Sequence, residues 1–283
     1  MRKYLFATII TAVCMLAQQA EADTNSYEFT MKQIVCDTVR YTIVYDMTYQ
    51  DGVWTNQIDT MVEPMRLDIG DRCTRFYSYA AFQSDSINAA NAAKGETMMT
   101  YSGTVSWQVY KNYPKEGCFT FLDDISGFNY YAVTEQAVQP QWTLCPDSTA
   151  TILGYQCRLA TATYKGRQWS AWYAEDIPMN AGPWKLCGLP GLILRAYDSG
   201  RTYVFEATAM RNADGTPMMY QGCDYEPVSY AELKKEYDRY YADPFGYVRL
   251  YAPNLRRIVT DDGHGIPMPA PKNLPHNPIE LSE

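Results

Sequence analysis

Gln156-Cys157-Arg158-Leu159-Ala160-Thr161-Ala162-Thr163-Tyr164 runs through Lys165-Gly166 into Arg167-Gln168-Trp169-Ser170-Ala171-Trp172-Tyr173. Thr161, Thr163 and Tyr164 in the first run and Trp169, Trp172 and Tyr173 in the second are strand-favouring types, and a two-residue break ending in glycine is the length that joins antiparallel neighbours. The stretch therefore predicts a β-hairpin. Leu192 to Tyr197 and Arg201 to Ala207 flank Asp198-Ser199-Gly200 and predict a second one. The connection between the hairpins carries Pro178, Gly182, Pro183, Gly188 and Pro190, which forbid a regular helix. Within it, Gly188 and Gly191 flank Leu189-Pro190. Pro190 suits the second position of a tight turn, and Gly191 is expected to supply the positive φ of a type II turn.

Working outward, Tyr41, Ile43, Tyr45, Met47 and Tyr49 alternate with Thr42, Val44, Asp46 and Thr48, the period of a strand. Short strands follow over 65–69, 73–78, 104–111, 118–122, 130–134 and 142–144, and an Ala/Asn-rich segment over 80–94 predicts a modest helix. Ser229 and Glu232 have capping-box spacing, and Tyr230, Leu233, Tyr237 and Tyr241 share one helical face. The fold class is therefore mainly β: an antiparallel meander, strongly curved or half-barrel, with one or two packed helices. Residues 23–260 form one β-rich domain, and 261–283, with five prolines from Pro267 to Pro278, form an extended tail.

The first 22 residues read as an export leader. Arg2 and Lys3 precede an apolar run over 5–16, and Ala20-Glu21-Ala22 supplies a small-x-small cleavage site. The run is too short to span a bilayer, which takes about 20 apolar residues, and no later run is longer. Cleavage before Asp23 removes Arg2, Lys3 and Glu21, so 24 basic and 32 acidic residues become 22 and 31, a net charge of -9. That balance opposes nucleic acid and anionic membrane surfaces. Seven cysteines remain after Cys14, with no Cys-x-x-Cys pair, which in an oxidising compartment reads as up to three disulfides and one odd thiol.

Gly188-Leu189-Pro190-Gly191-Leu192-Ile193, with the upstream Trp169-Ser170-Ala171-Trp172-Tyr173 and Glu175-Asp176-Ile177-Pro178, resembles the GLPGLI family, which is named for that run. The family comprises exported proteins of Bacteroidetes-type bacteria without an assigned activity. The resemblance is specific over 154–196, and Asn277-Pro278-Ile279-Glu280-Leu281 is similar to the family's ending. It implies a periplasmic or extracellular location. Cys157 and Cys187 both fall inside the best-matching segment and flank the same strands, and on that ground they are expected to pair.

Chemistry is scarce. The two histidines, His264 and His276, lie in the Pro-rich tail, away from any predicted scaffold, which argues against Ser-His-Asp and Cys-His catalysis and histidine-based metal sites. No P-loop, dinucleotide fingerprint or EF-hand loop implies a cofactor. Asp124, Glu175 and Asp176 could serve a glycan-directed hydrolase as a carboxylate pair, but Asp123-Asp124 alternates faces on a strand and Glu175-Asp176 reads more simply as a turn. Twenty-five tyrosines and six tryptophans leave aromatic recognition of a protein, peptide or apolar ligand as the other reading. Trp172, Tyr173 and Trp184, which border the irregular connection, are the candidates. The expected function is an exported, non-catalytic binding or envelope-associated protein; the oligomeric state stays open.

Overall fold

The computed structural model describes residues 32–52, 58–95, 100, 102–127, 129–213, 215–251, 260–261, 267–268 and 271–282. The expected leader over 1–22 and His264 lie outside the described residues.

The long strand β1 (Ile34–Asp51) is the spine. Its alternation buries Ile43, Tyr45, Met47 and Tyr49 on one face, the consequence of a two-residue side-chain period. One edge of β1 pairs antiparallel with β2 (Asp59–Gly70). From there a meander continues through β3 (Thr74–Ser78), β4 (Gln108–Lys111), β5 (Cys118–Ile125) and β6 (Asn129–Gln136). The chain then crosses to the far side and lays down β7 (Thr143–Ile152), β8 (Tyr155–Tyr164), β9 (Arg167–Ala174), β10 (Leu192–Asp198) and β11 (Tyr203–Asn212), the last pairing with the other edge of β1. Two meanders thus meet at β1 and β11. Short β12 (Pro217–Tyr220) pairs with the start of β1, and β13 (Glu226–Pro227) runs parallel to β6, giving one mixed sheet of 13 strands that does not close into a barrel. A separate two-stranded ribbon pairs β14 (Thr260–Asp261) with β15 (Pro267–Met268).

Both expected hairpins form. Lys165 and Gly166 have φ of 50° and 78°, the doubly positive backbone of the tight turn that matches strand twist. Among the described residues, three α-helices accompany the sheet: α1 (Tyr79–Ala92), α2 (Tyr230–Ala242) and α3 (Pro244–Tyr251). The Ser78 hydroxyl caps α1 by accepting from Ala81 N at 3.0 Å. The expected capping box starts α2, with Ser229 and Glu232 satisfying each other's backbone N–H groups. No helix among the described residues is long and apolar enough to cross a membrane.

The sheet is strongly curved. Seven strands separate β6 from β9 in the hydrogen-bonded order, yet Lys165 Nζ, in the β8–β9 turn, lies 2.6 Å from Glu135 Oε2 on β6. The two wings curl towards each other around one core that holds Phe76, Phe119 and Phe121 of the first meander, Trp169, Ile193 and Phe205 of the second, and Leu233 of α2. A smaller core, with Cys36, Cys73, Tyr110, Leu122 and Tyr220, forms where β12 meets the first meander.

Candidate functional site

The connection from Glu175 to Gly191 is a clamp seated in the hollow of the curved sheet. Ile177, Ala181, Trp184, Leu186 and Leu189 are all buried and join the main core. Trp184 lies 5.6 Å from the Trp169 ring and 5.7 Å from Tyr164. Its φ of 55° is a backbone region that large side chains avoid, and the packed rings hold it there. The space beneath the clamp is filled.

The turn chemistry differs from the expected type II arrangement. Gly188 takes the positive φ, 95°, whereas Gly191 does not enter that region. Gly191 is needed for space, because a Cβ there would stand 2.0 Å from the Ala174 carbonyl oxygen. The glycine lets the clamp's end pass against the end of β9. Pro190, between them, is exposed.

Side chains bridge the open seam between the two wings. Lys185, only 1% exposed, donates to Glu135 Oε1 at 2.6 Å and also to Glu280 of the tail. Lys165 completes the group, 3.4 Å from Glu280 Oε2. Burial pushes the Glu135 carboxyl up, but the two lysines outweigh it and hold the group below the usual carboxylate range. Burial likewise opposes the charge on Lys165, and the two carboxylates overcome it and raise its pKa. The tail is pinned alongside. Arg167 donates to the carbonyls of Pro278 and Ile279 and to Asn277 Oδ1, and it pairs with Asp198 at 2.7 Å. Leu274 and Ile279 are buried. The stretch over 271–282 is thus packed against the sheet.

A second polar group lies under α2. Asp123 Oδ1 accepts from Ser106 Oγ at 2.6 Å and from Asp124 N at 2.8 Å, while its other oxygen accepts from Tyr237 OH. Three donors occupy that carboxylate, which makes it a tie between β5 and the helix. His276, expected to lack a scaffold, has one: its ring stacks on Tyr241 at 3.9 Å, and Nδ1 lies 3.5 Å from Asp51 Oδ2. A cleft of about 30 Å³ beside Ser106, lined also by Arg75, Tyr77, Gln108 and Gln221, has room for a water or two. Small-ligand sites run to hundreds of cubic ångströms. Among the described residues, no three His, Cys, Asp or Glu side chains gather as a metal site.

The three carboxylates singled out from the sequence sit apart in function. Asp124 is half-buried at the end of β5, where its Oδ1 accepts from Gly127 N at 2.7 Å, and burial, then the neighbouring Asp123, push it up to about 8. Glu175 and Asp176 are exposed on the clamp, and Glu175 faces Arg158 at 3.3 Å. Of the aromatic candidates, Tyr173 and Trp184 are 1% and 3% exposed and belong to the core; Trp172, on the opposite face of β9 from Tyr173, is half-buried. Its strand partners are Leu159 and Arg195, and Arg195 pairs in turn with Glu206. The row across β8 to β11 thus presents an apolar side chain, an indole and an ion pair.

Cys157 and Cys187, expected to pair, are both buried and carry no disulfide, as holds for all seven cysteines among the described residues. Cys157 on β8 pairs with Ala150 of β7, whereas Cys187 lies in the clamp beside Lys111 of β4, so the two serve different neighbours. Lys185, Glu135 and Glu280 escaped the sequence reading. A charged residue amid apolar neighbours, Trp184-Lys185-Leu186, was the signal available.

Fold and clamp together define an open, curved, mainly antiparallel sheet stoppered by its own crossover and tail. A family described as a protein of unknown function (Porph_ging) matches residues 162–195, from the end of β8 through β9 and the clamp into β10. No curated protein matches the chain. A solved structure of PNGF-II in space group P21 covers 70% of this chain and 32% of its own, at 14% identity and a TM-score of 0.48; the C2 form gives 0.46. This chain therefore spans about a third of PNGF-II's length. An outer membrane lipoprotein-sorting protein domain from Vibrio parahaemolyticus covers 63% of this chain and 87% of its own, at 5% identity and a TM-score of 0.22. These likenesses assign the chain no activity.

Proposed function

We propose that this chain is an exported, non-catalytic binding or envelope-associated protein of the GLPGLI type, engaging a protein, peptide or apolar ligand outside the cytoplasm. The observation that carries the reading is the filled hollow: Trp184, Leu186 and Leu189 occupy the space under the clamp where a curved sheet would otherwise hold a substrate. The polar groups nearby are committed to one another, Lys185 to Glu135 and Glu280, and Asp123 to Ser106 and Tyr237. Catalysis needs groups poised for a reacting atom. Recognition falls instead to the β8–β11 row, where Trp172, half-buried with part of its ring packed against the main core, stands between Leu159 and Arg195. Indole and guanidinium side chains are the types enriched at protein contacts. The leader and the family's exported character support the location.

Cell fractionation with sequencing of the mature N-terminus tests the export. The reading expects a chain beginning at Asp23 outside the cytoplasm; an uncleaved cytoplasmic chain contradicts it. Assays on envelope glycans test the catalytic alternative: an activity lost in Asp124→Asn, Glu175→Gln or Asp176→Asn at unchanged melting temperature would replace binding with hydrolysis.

A further inference from the structure

The inner cluster where β12 meets the first meander holds two buried cysteines. Cys36 sits near the start of β1, where its register with β12 shifts between Val35 and Asp37, and Cys73 ends the turn between β2 and β3; they are 2% and 3% exposed, and their sulfurs lie unbonded 3.9 Å apart. The chain around them is tied independently of sulfur. Arg72 donates from Nη2 to the Cys36 carbonyl at 2.7 Å, and Asp37 Oδ2 accepts from Arg72 N at 2.6 Å and from Cys73 N at 3.0 Å. Gly70 N closes the turn on the Cys73 carbonyl at 2.9 Å. Three hydrogen bonds thus hold the two segments together and a fourth closes the turn, and the sulfurs need only approach each other.

We infer that Cys36 and Cys73 form a disulfide that staples the start of β1 to the β2–β3 turn; its formation in the cell rests on the proposed export. The oxidant is a small or protein disulfide donor, RSSR. One cysteine thiolate attacks the donor, giving a mixed disulfide and releasing RSH. The second thiolate then attacks the protein sulfur of that mixed disulfide and expels the second RSH. Two cysteine thiols lose two protons and two electrons, and the donor is reduced to two thiols. Burial places the exchange during folding, while β1, β2 and β3 are docking as a local meander and the thiols still meet solvent.

The test is in vitro and independent of where the cell puts the protein. The purified full chain is unfolded, reduced and refolded with oxidised and reduced glutathione; free thiols are then alkylated and the chain digested without reduction. Mass spectrometry is expected to show a Cys36–Cys73 linked peptide, and the oxidised chain to melt about 10 °C above the reduced one, the effect of cross-linking residues some 37 apart in a chain of this size. Cys36→Ser is expected to leave Cys73 alkylated and to remove the redox dependence of melting. Alkylation of both residues in the refolded wild type, or linkage of either to another cysteine, overturns the inference. Failure to export the protein in cells would leave this result untouched and would strike only the proposed location.

Discussion

Lys185 Nζ stands 2.6 Å from Glu135 Oε1, joining a buried lysine of the clamp to strand β6 on the opposite wing. Backbone hydrogen bonds do not close this curved sheet; an ion group of two lysines and two glutamates spans its seam. Ion pairs in such a position gain little over an apolar filling, but removal of one partner strands the others. Lys185→Ala is therefore expected to cost about 3–5 kcal/mol, read by denaturant unfolding. A loss below about 1 kcal/mol would show that water reaches the group and solvates Glu135 and Glu280.

The same group sets a pH window. Glu135 is held below its ordinary value, so its contribution is complete above its unfolded pKa and is lost as pH falls through the lower folded value. Lys165 is held above its ordinary value, so its contribution is complete below its unfolded pKa and is lost as pH rises through the higher folded value. Melting temperature should be flat between about pH 5 and pH 10 as far as these two groups decide it, dropping at both ends. Glu135→Gln should blunt the acid limb and Lys165→Met the alkaline one.

Asp124 carries the opposite sign. Its folded pKa, pushed up to about 8, lies above the unfolded value, so the folded state binds the extra proton and stability falls as pH rises from about 4 to 8. Asp124→Asn should stabilise the chain by about 1–3 kcal/mol at pH 8 and by little at pH 4. Equal effects at both pH values would mean that the carboxyl stays solvated.

The clamp glycines separate space from conformation. Gly191→Ala puts a Cβ 2.0 Å from a backbone oxygen and should destabilise by about 3 kcal/mol or more. Gly188→Ala puts a Cβ 2.8 Å from Gln139 Oε1 and 3.1 Å from its Cβ, side-chain atoms only, at a positive φ, and should cost about 1–2 kcal/mol. The reverse ranking, measured by thermal unfolding, would contradict the clamp geometry.

Much of this architecture was legible. Alternation in β1 and the Lys165-Gly166 turn announced strands and a hairpin because a side-chain period of two and a doubly positive turn are local properties. The capping box of α2 was local too. Most of β7 was missed, since its residues are largely exposed and a bulge between Cys145 and Thr149 interrupts its pairing. Missing as well was α3, which begins at Pro244, a residue that suits a first helical turn as readily as a break. The partners of Lys185 lie 50 and 95 residues away, and no spacing rule reports a contact made by curling a sheet. For the same reason Tyr173 and Trp184 read as surface candidates: the sequence marks an aromatic, while its face depends on what the clamp covers.

The central claim is that Trp172 lies on a recognition surface while the carboxylates serve structure. The most direct measurement is retention of the protein in the envelope fraction after gentle osmotic release, with wild type and variants matched for melting temperature. The account predicts that wild type, Asp124→Asn, Glu175→Gln and Asp176→Asn are retained alike and that Trp172→Ala is released. Retention of Trp172→Ala at the wild-type level, together with loss of a glycan-cleaving activity in one carboxylate variant, would contradict it.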